Sequence, residues 1–188
     1  MNFNRHSDLE GKHALLSPSK IYWINYTYEQ LKNAIINEQS KVHGTKLHAI
    51  AKDLINEGLK LRGSTQTMAA YVNDAIGYGM TPEQPLYFSD NCFGTADTIF
   101  YKPGILRIHD LKTGLTPAKM EQLEIYAALF MLEYEKIFGV SPYNTKVDLR
   151  IYQSDDVIEE EPEPDRIVEV MELIKEKSRW ANEIQGEI

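Results

Sequence analysis

The chain has 188 residues, 43% hydrophobic and 26% charged, with 28 acidic against 20 basic side chains for a net charge of −8. That balance suits one compact domain with its own core. No run reaches the roughly 20 apolar residues of a membrane span, and the polar start "MNFNRHSDLEGKH" lacks the apolar stretch of a secretory leader, so a cytoplasmic protein is expected. A single cysteine, Cys92, excludes an internal disulfide and thiolate-rich zinc or iron–sulfur sites, which leaves oxygen and nitrogen to hold any metal. The acidic excess argues against coating nucleic acid through bulk charge, though not against a local groove.

In chain order, serines at capping positions in "LSPSKIYWINYTYEQLKNAIINEQ" predict a helix over about 18–40. A second helix follows in "HGTKLHAIAKDLINEGLKL", where Leu47, Ile50, Ala51, Leu54 and Leu59 recur near helical spacing, and a third is expected at about 66–78. The pattern then changes to aromatic and branched residues, with strands predicted near 85–89, 93–102 and 105–112 and Lys-Pro-Gly as the turn between the last two. Thr116 as N-cap, Pro117 in the first helical position and Gly139 as C-cap frame a buried helix. A strand at about 145–154, the acidic, proline-broken connector "DDVIEEEPEPD" read as a solvated loop, and an amphipathic helix over 166–185 complete the chain. The fold class expected is α/β, a mixed central sheet flanked by helices in a single domain, with N-terminal helices over 18–80 and a core over 85–154.

Alternation along "GILRIHDLKTG" places Leu106, Ile108, Asp110 and Lys112 on one face of a strand and Arg107, His109 and Leu111 on the other. An apolar face thus runs into an acid and a lysine. An isolated Asp-x-Lys reads as a salt-bridged strand end, but the neighbouring strand, "FGTADTIFY", brings a second acid, Asp97, through a tight turn. Two close carboxylates repel unless a cation lies between them, and hard cations such as Mg²⁺ choose carboxylate and water oxygens. A lysine beside such a cation suits phosphodiester hydrolysis, where it can orient water and offset phosphate charge.

Gly94-Thr-Ala-Asp97, Asp110-Leu-Lys112-Thr-Gly114, and Gln122 with Tyr126 on the next helix resemble the nuclease core of the PD-(D/E)XK superfamily, and within it the RecB-type and phage exonuclease branch. The specific part of the likeness spans about 94–126. It implies a restriction-endonuclease-like core, with Asp97, Asp110, His48 and the backbone carbonyl of Leu111 binding Mg²⁺ or Mn²⁺. It further implies that Lys112 assists the attacking water and that Gln122 and Tyr126 brace the lysine and approach the DNA backbone. Without the resemblance, His48 and Tyr126 would read as core residues and Gln122 as a surface one. His109 faces away from Asp110 and is expected to be structural, and Cys92 a packing residue or bystander.

Three functions follow. The leading one is a metal-dependent DNA exonuclease of phage or prophage recombination. A structure-selective or sequence-specific endonuclease uses the same core, and a catalytically silent nucleic-acid-binding module shares the fold. The resemblance also implies a single-strand annealing protein as partner, and leaves assembly into a homo-oligomeric ring open, as it does strand polarity and the choice of DNA over RNA.

Overall fold

A computed structural model describes residues 16, 18, 21–63, 66–114 and 116–187. Contacts divide the chain into two units, 1–43 and 44–188. Of the first, the described part is a 3-10 turn at Ile21–Asn25 and the opening half of helix α1, Tyr28–Asn56. This differs from the expected pair of helices, one over 18–40 and one after it. The described part of that stretch is a 3-10 turn and then a single helix, which runs through Gly44 and ends in a left-handed Gly58 whose neighbour Leu59 N–H bonds back to the Leu54 carbonyl. Residue 19 and the other capping positions before Ile21 fall largely outside the described residues.

The second unit is built on a five-stranded mixed sheet in the order β1-β2-β3-β4-β5, comprising β1 (Thr81–Ser89), β2 (Cys92–Lys102), β3 (Ile105–Lys112), β4 (Lys146–Gln153) and β5 (Asp156–Glu160). Only β3 and β4 are parallel, and helix α3 (Glu121–Phe138) supplies the crossover that such a pair needs. Alternation on the central strands sorts the core into two layers. Leu106, Ile108, Leu149 and Ile151 face α3 and the closing helix α4 (Pro164–Glu187). Leu111 and Tyr152 face the other way, against Ala51 and Ile55 of α1 and Tyr71, Val72 and Ala75 of α2 (Thr67–Tyr78). Each buried aliphatic side chain contributes about 1.5–3 kcal/mol. A bidentate Arg166–Glu124 pair ties α4 to α3, with guanidinium nitrogens 2.7–3.0 Å from the Glu124 oxygens.

Two expectations need correction. The acidic connector is not all loop. Ser154 and Asp155 both take positive φ, the two-residue turn that suits a right-twisted hairpin, and β5 pairs with β4 at the sheet edge. Two acids of the connector are held by basic residues of β4, Glu159 of β5 by Arg150 and Glu161, just past β5, by Lys146. The crossover helix also starts later than Thr116–Pro117 predicts, at Glu121 after Met120. Gln153, at the end of β4, donates to the carbonyls of Gly114 and Thr116 and accepts from the Ala118 N–H, so the Thr116 carbonyl that would accept the first intrahelical bond is taken and the segment is tied to β4 instead. Gly139 does end α3 in the left-handed conformation.

Candidate metal and active site

The sheet register builds the site. Beyond the last β2–β3 pair, Thr98 with His109, the next residues across from one another are Asp97 and Asp110. On the other side, between the pairs Pro82–Thr98 and Gln84–Ala96, Glu83 stands opposite Asp97. Three carboxylates from three adjacent strands therefore occupy one row. Asp97 also replaces the missing ladder bond, its Oδ2 accepting the Leu111 N–H at 2.9 Å.

Helix α1 closes the row with His48, whose Nδ1 lies 3.3 Å from Asp97 Oδ2. That hydrogen bond, opposed by burial, holds the imidazole above its ordinary pKa, with the charges of Asp97, Asp110 and Glu83 adding to it. Gly44, one turn earlier, brings the helix close, since a Cβ there would stand 2.7 Å from Thr113 Oγ1 just beyond Lys112.

Asp110 is 3% exposed. Burial first, then the Asp97 charge, pushes its carboxyl up to about 6, while Lys112 and His48 pull the other way. Lys112 Nζ lies 3.1 Å from Oδ1 and 3.0 Å from Oδ2, but only Oδ1 is approached in hydrogen-bonding geometry, so Oδ2 is a buried oxygen without a hydrogen-bond partner. The same ammonium donates to Gln122 Oε1 of α3 at 2.8 Å. Gln122 in turn bonds the Tyr126 hydroxyl, which burial pushes up in pKa. Glycine at 94 is explained by Tyr126, because a Cβ there would come within 3.0 Å of the ring's Cε1.

The residues singled out from the sequence, His48, Asp97, Asp110, Lys112, Gln122 and Tyr126, thus lie in one connected cluster. Leu111 joins it through its N–H, with its side chain in the core. Two residues were missed. Tyr71 of α2, 3% exposed, bonds Thr98 beneath Asp97, and burial with the Asp97 charge drives its hydroxyl pKa upward. Glu83 lay before the expected strand, yet its carboxylate joins His48 and Asp97 in a group whose ligand atoms are all within 4.8 Å of one another. Extending the β1–β2 ladder by two residues past Pro85 would have found it.

His109 sits on the opposite face, fully buried between Tyr78 and Tyr152, with the Tyr152 hydroxyl 3.3 Å from Nδ1. Burial lowers its pKa to about 3, so it is a neutral core residue. Cys92 is half-buried against the core, and its thiol bonds Ser178.

One nitrogen and two carboxylates in reach of each other, next to a buried carboxylate oxygen lacking a hydrogen bond, fit a divalent cation. No family model matches the chain, and no curated protein or solved structure matches it either. Among the described residues no helix is long and apolar enough to cross a membrane.

Proposed function

We propose that the chain is a metal-dependent DNA exonuclease that hydrolyses phosphodiester bonds, a member of the PD-(D/E)XK superfamily in its RecB-type and phage exonuclease branch, serving phage or prophage recombination. The observation that carries this reading is the lysine: its ammonium bridges Asp110 and Gln122 beside the Asp97–Asp110 pair on adjacent strands. A salt-bridged strand end would need no second carboxylate on the neighbouring strand and no glutamine from another element.

In this reading His48, Asp97, Asp110 and the Leu111 carbonyl hold Mg²⁺ or Mn²⁺. The bound cation would polarise a phosphate oxygen and acidify a water. The protein's own groups do the rest. Lys112, fixed by two partners, presents a positive charge where phosphate charge develops and orients the attacking water. Gln122 holds that ammonium at its station and, with Tyr126, lies toward the DNA backbone. The Leu111 N–H fixes Asp97, so its carboxylate needs little reorganisation on binding. DNA is the partner required, and a single-strand annealing protein is the co-worker this reading brings with it.

The test is Asp110→Ala. It is expected to keep its circular dichroism spectrum and lose DNA cleavage with either metal. Cleavage at the wild-type rate would remove Asp110 from the site.

A further inference from the structure

Glu83 is the one member of the carboxylate row whose side chain has neither a hydrogen bond nor an ion pair among the described residues. Asp97 is held by His48 and the Leu111 N–H, and Asp110 by Lys112. The Glu83 backbone is also unusual. With φ of 52° it takes the left-handed conformation in the middle of an edge strand, directly after Pro82 and two residues before Pro85. A non-glycine residue rarely adopts that conformation, and when it does the surroundings must compensate. Among the described residues no hydrogen bond or ion pair of the side chain does so.

We propose that Glu83 is a ligand of the same cation as His48 and Asp97, so that the ion is gripped from α1, β1 and β2 together. This rests on reading the site as a metal centre and adds to it a ligand and an order of metal preference. The Glu83 carboxylate, the Asp97 carboxylate and a His48 nitrogen lie mutually within 4.8 Å, a span that one ion can bridge with small side-chain adjustments. Asp110 is outside that group of three. Asp110 is paired with Lys112 and Asp97 with His48, so the carboxylate of the row without a paired cation among the described residues is that of Glu83, and its counter-charge comes from the ion. The Asp110 carboxyl, buried and close enough to Asp97 and His48 for their charges to act on it, borders the same place, and its Oδ2 makes no hydrogen bond although the Lys112 ammonium lies 3.0 Å away. A nitrogen ligand with two carboxylates favours a first-row transition ion of the manganese class over magnesium, which prefers oxygen and its own water. The ion would also pin the β1 edge to its neighbours and so offset the left-handed backbone.

The test titrates the full chain, stripped of metal, with Mn²⁺ and with Mg²⁺ by calorimetry, and follows thermal melting with and without Mn²⁺. Glu83→Gln keeps the shape and removes the charge. It is expected to melt like the wild type without metal, to bind Mn²⁺ at least about tenfold more weakly, and to lose most of the Mn²⁺ preference over Mg²⁺. Glu83→Gly, free to adopt positive φ, should melt higher than the wild type without metal and gain less from Mn²⁺. Asp97→Asn serves as the control and should lose Mn²⁺ binding. Wild-type Mn²⁺ affinity in Glu83→Gln alongside its loss in Asp97→Asn would overturn the Glu83 assignment and leave the nuclease reading standing. A wild type that binds neither ion would overturn both.

Discussion

Lys112 Nζ lies 2.8 Å from Gln122 Oε1 and 3.0 Å from Asp110 Oδ2, so one ammonium is held jointly by the end of β3 and the start of α3. A free lysine side chain has about 2 kcal/mol of rotamer entropy, which this arrangement has already removed. Lys112→Ala is therefore expected to lower turnover by about 10²–10⁴-fold, the usual range for losing a positioned proton-handling group, with metal affinity near that of the wild type. Single-turnover cleavage and calorimetry separate the two. A variant that loses metal as completely as Asp110→Ala would make the lysine a structural counter-ion.

Gly44 approaches Thr113 so closely that a methyl group would stand 2.7 Å from Oγ1. Alanine in a helix is favoured over glycine by about 1 kcal/mol, and forcing extra volume into a tight contact costs about 1–3 kcal/mol. The contact should win in Gly44→Ala, lowering the melting temperature and weakening metal binding through His48 one turn on. Adding Thr113→Ala removes the clashing oxygen and should raise the melting temperature above that of the single variant. Identical melting of the single and double variants would show that the helix is not set by this contact.

On the opposite face of the sheet, Asp148 receives Arg107 Nε at 2.8 Å and Arg150 Nε at 3.2 Å, and both guanidinium groups lie over the Tyr78 ring. Burial raises the Asp148 pKa, but the two arginines outweigh it and hold the carboxyl below the ordinary value. A depressed carboxyl stabilises the fold above its unfolded value near ~3.9, and that contribution is lost as pH falls through the lower folded value. Asp148→Asn should cost about 1.5–3 kcal/mol at pH 7, as expected for charge-assisted hydrogen bonds. Urea unfolding should show the gap to wild type narrowing below about pH 4. A gap unchanged at pH 3 would assign the loss to packing.

The centre of the site was legible because local chemistry fixes its register. The Lys-Pro-Gly turn sets β2 against β3, so the alternation that buries Leu106 and Ile108 also places Asp110 and Lys112 on the α3 side and brings Asp97 across from Asp110. Glu83 was hidden by prolines at 82 and 85, which end most strands but are tolerated on an edge, where β1 lies. β5 was hidden by the acidity of the 155–161 stretch, where Glu159 and Glu161 are paired with Arg150 and Lys146 of β4 only in three dimensions. The late start of α3 depends on Gln153, 37 residues from Thr116 in sequence, and no local rule for Thr-Pro foresees that contact. The proposed superfamily membership is supported by the motif spacing and by the cluster those residues form.

The central claim, a nuclease that needs its metal and starts from DNA ends, is tested most directly by one cleavage assay. Linear duplex, single-stranded and covalently closed circular DNA are incubated with Mg²⁺ and with Mn²⁺, each end labelled separately, beside Asp110→Ala. The account predicts short products from linear DNA, a spared circle, no cleavage with metal removed and none by the variant, and the labels then give the polarity. Discrete internal cuts in the closed circle would contradict the exonuclease, and no cleavage of any substrate with either metal would contradict the enzyme altogether.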